Sequence, residues 1–93
     1  MFIKLNKINK THSGEFYLSE VRINPAKILF ISENDQIKVA MMEGKTQLGL
    51  NSVARFSDLS FAFDSGSETI TVVGDPALIE AKILSSNRQL LRG

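Results

Sequence analysis

His12 is the only histidine of the chain, and it stands beside Ser13 in the polar stretch Lys10-Thr11-His12-Ser13-Gly14. A serine nucleophile needs a base within hydrogen-bond reach and a third group that orients this base, whereas adjacent side chains seldom point at each other. The pair therefore reads as part of a solvated turn. With no cysteine and one histidine, metal ligation falls to scattered carboxylates, and Glu33 with Asp35 lacks the ligand spacing and glycine of a calcium loop. Gly44, Gly49, Gly66 and Gly74 are too dispersed to cradle a phosphate, and Asp75 places a negative charge at the one helix start that could hold an anion. Asp58, Asp64 and Glu68 fall at turn or outward positions, where they serve solubility rather than acid–base chemistry. No catalytic, metal or cofactor residue is expected, no small molecule is expected as a ligand, and the chain reads as non-enzymatic.

Binding chemistry offers more. Ser60-Phe61-Ala62-Phe63 has the aromatic spacing with which some RNA-binding strands stack bases, but Asp58 and Asp64 flank it where basic residues are needed. Phe61 and Phe63 share a face with Leu59, which favours core packing. Lys4, Lys7 and Lys10 near one end and Lys82, Arg88 and Arg92 near the other form a nucleic-acid surface only if both ends present a common face. Met41-Met42 supplies soft, adaptable apolar surface, and Leu90-Leu91 supplies two leucines close to the last residue. These four residues are the candidate protein-binding positions. Lys4, Lys7, Lys10, Arg88 and Arg92 are the candidates for the alternative, a small β-barrel nucleic-acid binder.

The 93 residues fit one domain spanning positions 1–93, and 43% hydrophobic with 23% charged residues is an ordinary globular composition. A net charge of +1 gives little long-range pull toward a polyanion. The longest apolar run, Ile28-Leu29-Phe30-Ile31, is too short to cross a bilayer, and Lys4, Lys7 and Lys10 replace the apolar core of a signal peptide. Zero cysteines also argue against a small secreted domain. Cytoplasmic location and no membrane partner are expected.

Most of the chain alternates like strands. Ile3 and Leu5 alternate with Lys4 and Asn6, and the phase slips at Lys7-Ile8, which predicts a bulge or the strand's end there. A second strand runs from Glu15 to Leu18, Val21-Arg22-Ile23 alternates again, and Asn24-Pro25 marks a turn or irregular edge. Ala26 to Ile31 is apolar on both faces and fits a central strand or a short helix turn, its length and two isoleucines favouring the strand, and Ser32 to Asp35 reads as a turn. Ile37, Val39 and Met41 alternate before Glu43-Gly44-Lys45, with Leu48 and Leu50 beyond, which predicts a hairpin. Residues 51–58 fit a helical turn or an irregular strand. The clearest hairpin joins Leu59–Phe63 to Thr69–Val73 through Ser65-Gly66-Ser67. Asp75-Pro76 then starts a helix in which Ile79, Ile83, Ser86 and Leu90 recur at helical spacing as far as Leu91.

Phe2-Ile3-Lys4-Leu5, Ile23-Asn24-Pro25-Ala26-Lys27-Ile28 and the strand-to-helix segment from Ile70 to Ile83 resemble the small FlbD-like proteins of bacterial flagellar operons and similar short phage proteins. Those proteins share an N-terminal I-K-L strand, an I-N-P strand and a capped closing helix. The resemblance touches roughly half the chain. The chain departs from it in the polar and aromatic stretch 43–67 and in Gly74-Asp75-Pro76, where serine-proline-glutamate is more typical. It implies no catalytic residue. The expected fold is mainly β of the α+β class, with five to seven mostly antiparallel strands in a strongly bent sheet or small open barrel and one C-terminal helix. The expected role is that of a bacterial or phage accessory protein that binds another protein or itself, with edge pairing into a homo-oligomer.

Overall fold

The computed structural model describes residues 2–42 and 54–92, with the side chains of the last helix described through Ser86. Among these residues five antiparallel strands form one open sheet: β1 (Ile3–Lys10), β2 (Phe16–Ile23), β3 (Ile28–Asn34), β4 (Phe56–Phe63) and β5 (Gly66–Val73), in the order β2-β1-β5-β4-β3. Helix α1 (Gln36–Met42) separates β3 from the later strands, and helix α2 (Pro76–Arg92) closes the described chain. The fold is mainly β with a C-terminal helix, as the alternation of the sequence implies. No helix among the described residues is long and apolar enough to cross a membrane.

The sheet has to coil, because its two edge strands are consecutive in sequence. Lys7 and Ser57 both stand opposite Val72, which sets a common level across β1, β5 and β4. Ile23 pairs with Ile3, four residues before Lys7, and Ile28 pairs with Phe61, four residues after Ser57. On a flat sheet Ile23 and Ile28 would lie roughly 26 Å apart along the strands and roughly 19 Å apart across them. The link 24–27 provides at most about 19 Å of chain. It is shorter still because Pro25–Lys27 winds into a 3-10 turn, with the Lys27 amide donating to Asn24 O at 3.0 Å and the Ala26 amide to Asn24 Oδ1 at 3.0 Å. The end of β2 and the start of β3 therefore meet over the sheet's concave face.

On that face Ile3, Leu5, Ile23, Leu59, Phe61 and Val72 form the main core, which α2 covers with buried Ile79 and half-buried Ile83. Ile8 points to the convex face and packs with Phe56 and with Ile37 of α1. This corrects the reading of Lys7-Ile8 as a bulge or strand end, since β1 pairs with β2 without a break from Ile3↔Ile23 to Lys10↔Phe16. The phase slip arises because the strand supplies one core with Ile3 and Leu5 and the other with Ile8 from its opposite face. Likewise the two segments 15–18 and 21–23 are one eight-residue strand, β2.

The hairpin expected from Ile37, Val39 and Met41 is also corrected: residues 36–42 are helical. Ile37 and Met41 lie four apart, so the same residues that alternate as a strand share one helical face, and both pack on the convex-face cluster. Leu48 and Leu50 lie outside the described residues, as do 51–53 of the undecided stretch. The expected turn 32–35 is strand as far as Asn34, whose Oδ1 accepts the amides of Gln36 at 2.9 Å and Ile37 at 3.3 Å. That cap supplies the helix start. The proposed central strand 26–31 begins only at Ile28 and lies at the sheet edge.

The last hairpin and α2 follow the sequence closely. β4 and β5 join through Asp64-Ser65, which corrects the expected turn Ser65-Gly66-Ser67, since Gly66 and Ser67 already pair with Phe63 and Ala62; the Leu78 amide donates to Asp75 Oδ1 at 2.8 Å with Pro76 in the first helical position. Gly74 makes the corner at φ +119°, its amide donating to Arg55 O at 2.7 Å and its carbonyl accepting from Ser57 Oγ at 2.7 Å. A Cβ there would stand 3.0 Å from Leu78 Cδ2 and 3.3 Å from Ile79 Cδ1. Arg55 bridges the same corner, hydrogen-bonding Glu33 Oε2 through Nε at 2.6 Å and Asp75 Oδ2 through Nη1 at 3.4 Å. Its guanidinium pKa is raised, first by the Glu33 hydrogen bond and charge and then by Asp75. Gly74→Ala is expected to cost about 1–3 kcal/mol through backbone strain. Thermal unfolding checks this: an unchanged Tm would show that the corner relaxes freely.

Candidate functional site

On β1, β5 and β4 the concave-face stripe passes from buried apolar residues to charged or exposed ones toward one end of the sheet. β1 offers Ile3, Leu5 and then Lys7; β5, read backwards, offers Val72, Ile70 and then Glu68; β4 offers Leu59 and Phe61, buried, and then Phe63, which is 54% exposed. Here the coiled sheet opens to solvent, and the link 24–27 forms part of the rim. The result is a groove of about 760 Å³. One wall, from β1, β2 and the link, carries Val21 and Ile23 with Lys7 and Lys27. The other, from the β4–β5 hairpin, carries Phe61, Phe63 and Ile70 with Asp64 and Glu68. An apolar floor thus lies between a basic wall and an acidic wall. Such a surface removes apolar side chains from water while its rim selects for charge.

A second gap adjoins this groove. β5 pairs with β1 only at Lys7↔Val72 and Ile8↔Thr71, although β1 continues to Lys10 and β5 begins at Gly66. Among the described residues, Gly66 to Ile70 are paired with β4 alone. Glu68 and Ile70 belong both to this half-paired stretch and to the groove.

The sequence-derived candidates are dispersed. Met41 is half-buried against the Ile8–Phe56 cluster, while Met42, 76% exposed, ends α1. Arg88, Leu90, Leu91 and Arg92 lie in the last turns of α2, beyond the described side chains. Lys4 and Lys10 are on the convex face and Lys7 on the concave one, so the three lysines do not share a surface. Lys4 also lies 3.8 Å from Glu20, and the Lys10 ammonium stands 5.6 Å from the Phe16 ring centroid. His12 is exposed at the β1–β2 turn, where Ser13 Oγ pairs with Thr11 Oγ1 at 2.9 Å. Among the described residues no three metal-ligating side chains cluster.

Most of the groove residues escape sequence reasoning, which takes Val21, Ile23, Phe61, Phe63 and Ile70 as strand or core and Asp64 and Glu68 as solubilising charges. A signal was nonetheless present. Lys7 and Glu68 sit in register with apolar stripes, and a charge on such a stripe marks where the covered face ends. Phe61 is core as expected, whereas its stripe partner Phe63 is not.

Asp58, expected to be a solubilising charge, is half-buried on the convex face and accepts Asn34 Nδ2 at 3.0 Å and Thr71 Oγ1 at 2.6 Å. It ties β3, β4 and β5 together beside the Ser60–Thr69 hydroxyl pair at 2.8 Å. Comparison with protein-family models, with curated proteins and with solved structures gives no match. The likeness to FlbD-like proteins accordingly rests on its short motifs alone. Asp58→Ala leaves two partly buried donors without their acceptor and is expected to cost about 1–3 kcal/mol. Urea unfolding measures it, with Asp58→Asn, which keeps an acceptor oxygen, expected to lose less.

Proposed function

We propose that the chain is a non-enzymatic accessory protein that works by binding a segment of another protein in the concave groove. The observation that carries this reading is the apolar floor beneath rim charges of both signs. A polyanion site needs one dominant positive field, whereas Lys7 and Lys27 here face Asp64 and Glu68. A protein segment can satisfy both walls and fill the floor. Phe63 is the natural anchor, because its exposed half offers on the order of 100 Å² of apolar surface, worth roughly 2–3 kcal/mol on burial. Selection of a random peptide display library on the full chain is expected to enrich saturable binders. Phe63→Ser should weaken them tenfold or more with the Tm unchanged, and binders indifferent to Phe63 would defeat the groove assignment.

Self-association is supported by a separate observation. On β3, paired with β4 alone among the described residues, Leu29 and Phe30 are adjacent and 60% and 57% exposed. A row of unpaired backbone groups beside two large apolar side chains favours edge-to-edge pairing. Sedimentation equilibrium is expected to show a concentration-dependent dimer that Leu29→Lys returns to monomer. A wild-type monomer at high concentration would remove this reading.

A further inference from the structure

Resting on the groove-binding reading above, we infer that the occupant is an extended segment of a partner protein that adds as a strand to the half-paired stretch of β5, with a basic side chain directed at Glu68 and Asp64. Strand registration shows why this stretch is available. Continuing the β1–β5 pairing would place Asn9 opposite Ile70 and Lys10 opposite Thr69, but the register ends at Ile8↔Thr71 and neither pair forms. In an antiparallel hairpin alternate residues turn their N–H and C=O groups away from the partner, so the outer side of Gly66 to Ile70 offers a short template for main-chain hydrogen bonds.

Side-chain chemistry points the same way. A strand added beside β5 projects every second side chain to the concave face, next to Glu68 and Ile70 and over the floor made by Phe61, Val21 and Ile23. Its inward residues at the hairpin end meet Glu68 and Asp64, those in the middle meet the apolar floor, and those at the far end meet Lys7. The segment recognised is therefore short and alternating, with inward apolar residues between one basic and one acidic inward residue. A helix could fill the floor but could not satisfy the outward backbone groups of β5.

The experiment uses the full chain and peptides enriched from the random display library. Enriched sequences are expected to alternate apolar and polar residues, with a Lys or Arg at one end of the apolar set and an Asp or Glu at the other. N-methylation of the peptide amides in two alternate sets should weaken binding tenfold or more for one set and leave the other nearly unchanged. Glu68→Lys should weaken the same peptides about tenfold, and exchanging their basic residue for Glu should restore binding. Amide exchange at Ser67 and Thr69 should slow on peptide addition. If binding depends on Phe63 yet tolerates both methylation sets, the strand-addition inference fails while the groove stands. If it depends on neither Phe63 nor Glu68, both fail.

Discussion

The rest of the structure depends on a shortage of chain: four residues, 24–27, must join the two opposite edges of a five-stranded sheet. No flat arrangement satisfies that distance, so the sheet coils, one face becomes an interior, and the apolar stripes of β1, β4 and β5 converge on it. Pro25 and the Asn24 cap hold the link in a single tight turn, which fixes how far the edges approach. Coiling then leaves two ends to manage. α2 covers the core with Ile79 and Ile83, and the opposite opening is the groove.

Arg55 and Asn34 show how the helices are held to this frame. Arg55 bridges Glu33 at the end of β3 to Asp75 at the head of α2, while Asp75 also caps that helix. Asn34 both hydrogen-bonds Asp58 through its amide nitrogen and caps α1 through its oxygen. The exposed ion pairs contribute little energy in water. Their effect is geometric, because together they tie the start of α2 to the end of β3 through Arg55, at a point where the chain changes direction.

How far the sequence could be read depended on whether one physical rule acted alone. The β4–β5 hairpin and α2 were legible because alternation, turn residues and an Asp-Pro start all agree there. α1 was not, since seven residues with Ile37, Val39 and Met41 satisfy the strand period while Ile37 and Met41 satisfy the helical one. The groove was hidden for another reason: its lining comes from β1, β2, the link and the last hairpin, and only the coil brings these together. Phe63 could not be distinguished from Phe61 without knowing where that coil opens.

Because β1 gives Ile3 and Leu5 to one core and Ile8 to the other, its length matters more than its composition. An exchange of one aliphatic side chain for another changes a single contact. One residue inserted between Leu5 and Ile8 would instead turn either Ile8 or the Ile3–Leu5 pair toward the wrong face and empty a core. Variation along this strand is thus free in its letters and closed in its spacing, so the strand acts as a ruler for both sides of the sheet.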